Sequence, residues 1–381
     1  MVVAPREWFD EHREAGRVFW HESTGTWFVT RFNDVWDLLV DPRLGHPSQD
    51  AFIRTLTPEQ RETCAALLDF AARWPVFTDP PEHTVARRLL LPLFSTEENA
   101  RVAAAVRARV ESCGPESWHG ADPLDAVLRP ACRAGLAALL CLAEDQLDQL
   151  DDWSKDFISF VSRTSGYEEA AVRRSNEVLE RFRSFVVGEC TEHTDSLIGR
   201  LLWRALRDGT LTEVDAAAYY AQILTGLIEP TTSALATAIE LLGGDPGLRH
   251  CFDTDPDAFI GEVVRLTTPF HFVPRRALVP MDLFGHSVEE GARVVLLLVS
   301  ANRDWRRFPD PLAFRMDRGY PPHIAFGRGR HACLGAAMAT KMIKTILRVL
   351  VETAFDSRPT PTPQVQWRTE LGMHTPLSIT W

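Results

Sequence analysis

Apolar residues recur at helical spacing over most of this chain, and the pattern predicts helices over 97–110, 123–142, 144–161 and 168–187. Gly114-Pro115, Ala143-Glu144 and a short loop over 163–167 separate them. A longer apolar segment, 216–242, keeps helical phase except at Gly226 and Pro230, which predicts one rod kinked at that point. Shorter helices are expected over 33–40, stopped by Asp41-Pro42, and over 257–267, and a long one ends near Val351. Runs rich in β-branched and aromatic residues flank Glu22-Ser-Thr-Gly25 and read as a hairpin. Further short strands are expected over 277–279, 281–284 and 294–299, with turns at Gly285 and Glu290-Gly291, and over 364–381 around a turn at 371–374. Pro280 cannot donate to a ladder, so the runs on either side of it belong to an edge or are split by a bulge. Between 44 and 77 the pattern is mixed and strong caps are few, as in a movable lid. The fold class is mainly α with small β-sheets.

Composition narrows the setting. Of 381 residues 45% are hydrophobic, enough for a sizeable core, and no linker divides the chain, so one domain over 1–381 is expected. A net charge of -11 argues against a nucleic-acid partner or an anionic membrane over the whole surface. Met-Val-Val-Ala-Pro-Arg-Glu-Trp at the start has no apolar core of a leader, and no run of about eighteen apolar residues occurs, so a soluble cytoplasmic protein is expected. The seven cysteines are scattered and odd in number, signalling neither a disulfide framework nor a zinc site. Cys132 and Cys141 lie in an apolar run and read as core filler.

Chemistry concentrates in His323-Ile-Ala-Phe326-Gly327-Arg328-Gly329-Arg330-His331-Ala332-Cys333-Leu334-Gly335, just before the last long helix. A helix N-terminus offers free amides and a partial positive charge that stabilise a thiolate, so Cys333 is a metal ligand or a nucleophile. The glycines let the backbone approach something flat and bulky, and Phe326 offers it an aromatic face. A buried structural cysteine beside a glycine turn is the plain alternative. Earlier, Asp79-Pro80-Pro81-Glu82-His83 reads as a helix start with Asp79 as cap, and His83 and Arg87 share one face at i,i+4. Glu262 and Arg265 also share a face, at i,i+3.

The spacing Phe-Gly-x-Gly-x-His-x-Cys-x-Gly resembles the haem-binding loop of the cytochrome P-450 family, with every fixed position filled. The resemblance extends over nearly the whole chain and implies that family's triangular prism, with haem between distal and proximal long helices. It implies Cys333 as the thiolate ligand of iron in heme b, with Phe326 beside the ring. Asp-Pro-Pro-Glu-His-x-x-x-Arg resembles the helix that donates to haem propionates, which gives His83 and Arg87 that role. The strand after the Glu262/Arg265 helix ends in a propionate-binding arginine in the family, here Arg275 with Arg276 as neighbour, and His331 is a further donor. Glu262, Arg265 and the run from Arg303-Asp-Trp to Arg318 resemble a structural network that locks the thiolate loop. The turn near His374 is expected at the pocket.

On the distal helix the family carries Ala/Gly-Gly-x-Asp/Glu-Thr, whose acid and hydroxyl help deliver protons as dioxygen is activated. Aligned on the acid, this chain supplies Glu229 but has Leu227 at the glycine position and Pro230 at the threonine position. Thr231 follows, about 100° further round a regular helix. Glu229 and Thr231 are therefore the catalytic candidates. The implied activity is a monooxygenase or oxidase that tailors a small organic substrate in secondary metabolism, using dioxygen and electrons from ferredoxin and ferredoxin reductase. Arg87, Arg88, Arg328, Arg330 and Lys341 form a candidate docking patch for the ferredoxin. Because Pro230 replaces the threonine, a haem-thiolate oxidase that couples aromatic rings, dehydrogenates or uses peroxide is an alternative. A catalytically silent haem-binding recruitment module is a remote one.

Overall fold

The computed structural model of the protein describes residues 6–47, 50–53, 55–114, 116–119, 122–162, 167–318, 323–355, 362–370 and 372–380. The 163–167 loop, apart from Tyr167, lies outside them, as do Pro115 of the expected break and Leu371 of the expected turn. The chain forms two compact units: Met1–Gly45, Ala103–Gly135 and Ile228–Trp381 make the first, His46–Val102 and Leu136–Leu227 the second.

Among the described residues, the first unit holds all the sheets. Nine strands are β1 Val18–His21, β2 Thr26–Val29, β3 Leu44–Gly45, β4 Phe272–Ala277, β5 Met281–Leu283, β6 His286–Val288, β7 Arg293–Leu297, β8 Gln364–Glu370 and β9 Met373–Thr380. Five of them form one sheet in the order β1-β2-β7-β4-β3, and β5-β6 and β8-β9 are two-stranded ribbons. The expected hairpin is β1-β2, turned at Gly25 with φ +56°, a left-handed conformation that favours glycine. β2 pairs parallel to β7, 267 residues further on in the register Thr26 to Arg293.

The strand expected over 277–279 instead begins at Phe272 and ends at Ala277, with Pro274 inside it. Pro274 is tolerated because β3 pairs only with Ala277 and Arg276, so β4 has no ladder neighbour on that side at residue 274. Gly285 and Gly291 turn the chain at φ +91° and +84°, as the sequence predicts. The core beneath this sheet gathers Val29, Phe32, Leu44, Leu296 and Phe308, and includes Ile324, where the cysteine loop begins.

The second unit is helical and includes Pro58–Ala72, Glu82–Leu90, Glu169–Glu189, Leu197–Arg207 and Glu213–Gly226. Arg73 ties two of these together, bonding Asp69 at 2.9 Å and Asp215 at 2.8 Å. The segment expected to be poorly capped carries a capping box: Thr57 Oγ1 accepts the Gln60 amide at 3.2 Å, and Gln60 Oε1 accepts the Thr57 amide at 2.9 Å. Asp79 is not the side-chain cap of Glu82–Leu90. Pro81 occupies the cap position, and the Asp79 carboxylate accepts the His46 amide at 2.7 Å. Cys132 is core filler as expected, whereas Cys141 follows the helix end at φ +57° and is exposed. Among the described residues no single helix is long and apolar enough to cross a membrane.

The long central helix is not one kinked rod. Glu213–Gly226 ends, Leu227 intervenes, and Ile228–Gly244 begins anew. Pro230 is thus the third residue of a helix, where an amide has no intrahelical acceptor to lose. The proline fits because the chain restarts there.

Candidate functional site

The cysteine loop is built by short backbone bonds. The Gly327 amide donates to the Ile324 carbonyl at 2.9 Å, and the Ala332 amide closes a 3₁₀ turn on Gly329 at 3.1 Å. The Cys333 amide then donates to the Phe326 carbonyl at 2.8 Å. Gly327 and Gly329 sit at φ +68° and +71°, and a Cβ on Gly329 would lie 2.5 Å from Val40 Cγ1. Glycine is therefore required at 329 both by conformation and by space. The loop delivers an exposed Cys333 two residues before Gly335, the cap residue of helix Ala336–Leu350. Arg328 anchors its outer side: the guanidinium donates to the Trp36 carbonyl at 2.7 Å and lies 4.1 Å over the Trp36 ring. Phe326 and His331 are half-buried, and the Phe326 ring stands 5.8 Å from that of His323.

Behind the loop lies a buried ionic network. Arg265, 1% exposed, makes a two-pronged pair with Glu262 at 2.7 and 2.8 Å, and also donates to the carbonyls of Asn302 at 2.7 Å and Pro311 at 2.8 Å. Arg318 reaches the same Glu262 at 2.9 Å and bonds the Asp310 carbonyl at 2.6 Å. Glu262, Arg265 and Arg318 thus meet as the sequence suggests. Burial pushes the His323 imidazole down to about 4, helped by the nearby Arg265 charge.

Helix Ile228–Gly244 packs against helix Ala336–Leu350 and against β9 in the same unit. Glu229 and Thr231 lie in its first turn. Thr231 is 2% exposed. Glu229 Oε2 is buried and has no hydrogen-bond partner among the described residues. Its charge also acts on Cys132, whose thiol is pushed up mainly by complete burial. The next two hydroxyls are committed to carbonyls: Thr232 donates to Ile228 and Glu229 at 3.1 and 2.9 Å, and Ser233 to Glu229 and His374 at 2.9 and 2.7 Å. Ser233 thereby ties this helix to β9, where the His374 ring stacks on Trp367 at 4.1 Å.

Arg275 is 6% exposed on β4 and donates to the Pro274 carbonyl at 2.9 Å, while Arg276 points to the opposite face of the strand. His83 and Arg87 belong to the second unit, on Glu82–Leu90, with His83 buried and Arg87 half-buried. Sequence reasoning missed Ser233 and Asn302. The only signal for Asn302 is a carboxamide shortly after the apolar run 294–299.

The family description Cytochrome P450 matches residues 256–377, the stretch from the Glu262/Arg265 helix through the cysteine loop to β9. Over 90% of its length the chain is 28% identical to cytochrome P450 107B1 of Saccharopolyspora erythraea, covering 85% of that protein. It is 27% identical to the mycinamicin IV hydroxylase/epoxidase of Micromonospora griseorubida, over 93% of this chain and 88% of that one. The chain is thus similar to cytochrome P450 proteins in sequence over nine-tenths of its length, and to solved P450 structures in fold. Solved P450 structures share the fold: P450BioI, in complex with an acyl carrier protein ligated to hexadec-9Z-enoic acid, superposes with a TM-score of 0.82 at 19% identity, covering 99% of this chain and 98% of that one. P450epoK bound to epothilone B gives 0.82 at 19% identity, over 99% and 97%.

By that similarity the chain is an oxidoreductase of the monooxygenase class, which works with haem iron, dioxygen, redox partners and a small-molecule substrate. The residues present suit haem. The loop offers an exposed thiol, a soft donor for iron, beside backbone without Cβ atoms at 327 and 329. Arg275 offers a buried cation suited to a carboxylate.

Proposed function

We propose that Cys333 would hold the iron of haem b through its thiolate and that the protein inserts oxygen into a small organic substrate during secondary-metabolite tailoring. The observation that carries this is the loop itself: an exposed thiol, held by its amide to Phe326, just before a fifteen-residue helix. The relatives named as a mycinamicin IV hydroxylase/epoxidase and a 20-oxo-5-O-mycaminosyltylactone 23-monooxygenase support the substrate class.

Bound at this site, haem iron supplies the redox chemistry that activates dioxygen. The chain's part is to hold, orient and protonate. Arg275 and His331, with His83 and Arg87 by their motif, are the proposed partners of the propionates, since buried carboxylates need charge-assisted donors. Phe326 would offer the haem an aromatic face. Glu229, with an uncommitted buried oxygen, is the proposed proton carrier. Thr231 is its proposed hydroxyl partner, because Pro230 has no hydroxyl and Thr231 is the next residue that carries one. Electrons come from a ferredoxin and its reductase in a cytoplasmic setting, with Arg88, Arg328, Arg330 and Lys341 as further basic residues for docking.

Turnover with reductase, ferredoxin and isotopically labelled dioxygen tests the reaction. One labelled atom in the product is the expected result. The proline at 230 favours a second reading, in which the product is coupled or dehydrogenated, and an unlabelled product lacking two hydrogens would establish it instead.

A further inference from the structure

Asn302 is completely buried and uses every polar group it has. Its carbonyl accepts Arg265 Nη1 at 2.7 Å, its Oδ1 accepts the Ile324 amide at 2.9 Å, and its Nδ2 donates to Thr268 Oγ1 at 2.9 Å. The Ile324 bond is the first of a series, because the Ile324 carbonyl accepts Gly327 and the Phe326 carbonyl accepts Cys333. Thr268, the residue that caps helix Pro256–Thr267, is the other end. It is fully buried in the left-handed region at φ +37°, which is a strained conformation for a β-branched residue. Its hydroxyl donates back to the Arg265 carbonyl at 2.7 Å while accepting Asn302. A strained residue persists where its surroundings over-determine it, and here Asn302 supplies one of the bonds that do so.

We propose that Asn302 is a positioning residue for the thiolate: its carboxamide fixes the start of the cysteine loop to the Arg265 network and so sets how firmly Cys333 is presented. The proposal rests on Cys333 being the haem ligand. Arg265 alone cannot do this, since its contact with Asn302 is to the backbone carbonyl and its other bonds go to Glu262 and Pro311. The side chain of Asn302 is the link from that network to Ile324.

The test uses haem-loaded protein and the thiolate-type absorption band of the reduced carbon monoxide complex, followed as pH is lowered. Asn302→Leu removes the acceptor for the Ile324 amide and the donor to Thr268 at similar volume. It should raise the acid midpoint for loss of the band by about one pH unit, a tenfold weakening of the thiolate form, as expected when one buried amide loses its partner. Asn302→Asp keeps an oxygen for Ile324 and should recover most of that shift. A purely structural role predicts a lower melting temperature with an unmoved midpoint, and that result overturns the proposal. If Asn302→Leu does not fold, Thr268→Val, which leaves Asn302 but removes the acceptor fixing its amide, should move the midpoint the same way by less. No movement there overturns it equally. Cys333→Ala is the control. Should that variant keep the parent's band, the ligand assignment itself fails; should it lose the band while Asn302→Leu behaves as the parent, only the role of Asn302 fails.

Discussion

Replacing Arg265 by alanine removes four hydrogen bonds at once from a side chain that is 1% exposed. Truncating one member of a buried ion pair costs about 3–5 kcal/mol, because the partner charge is left without compensation. Two effects pull in opposite directions here. Arg318 still contacts Glu262 at 2.9 Å, so the carboxylate is not stranded. The carbonyls of Asn302 and Pro311 each lose a donor, at about 1–3 kcal/mol per buried group. The sum stays at about 3–5 kcal/mol or somewhat above, against a total stability of about 5–15 kcal/mol for a folded protein. Urea unfolding followed by tryptophan fluorescence should therefore show a greatly lowered midpoint for Arg265→Ala. Arg173→Ala, which breaks an exposed pair with Glu169, should give no measurable change. A stability loss under about 1 kcal/mol for Arg265→Ala would refute the view that this network holds the loop.

Three further outcomes follow from the geometry. His323 titrates normally near 6.5 when unfolded but only near 4 when folded, so the unfolded chain binds the extra proton first. Stability from this group is complete above about pH 6.5 and declines, by on the order of 3 kcal/mol, as pH falls toward 4; His323→Phe should flatten unfolding free energy between pH 7 and 5, and an unchanged slope would count against it. Gly329→Ala places a methyl on Val40 at a left-handed position, so haem retention should fall by about tenfold or more, and full retention would show that the loop can move aside. Glu229→Gln should cut coupled turnover by about ten- to a thousandfold with more peroxide released; parental turnover without extra peroxide would remove Glu229 from proton delivery.

Much of this arrangement was legible because it depends on local spacing. The cysteine loop is a continuous stretch whose glycines, aromatic and thiol must stand at fixed offsets, and Glu262 and Arg265 declare their shared face by i,i+3 alone. The restart at Ile228 was not legible, because a proline in an apolar helical run reads as a kink until the helix end at Gly226 is known. Asp79 resembled a cap because capping carboxylates and carboxylates that bind another segment have the same local sequence; the His46 amide that claims it is 33 residues away. Asn302 was invisible for a related reason. Its partners at 265, 268 and 324 come from three separated segments, and one carboxamide shortly after an apolar run carries no periodic signal. The parallel pairing of β2 with β7 likewise has no local signature, since either strand's composition would suit many neighbours.

The assignment of Cys333 is tested most directly by the carbon monoxide difference spectrum of the reduced protein and of Cys333→Ala, each reconstituted with haem. The parent should give the thiolate-type band and the variant should lack it while still binding haem or losing it outright. A variant that retains the parent's band would contradict the account, because no other cysteine in the chain stands in such a loop ahead of a helix.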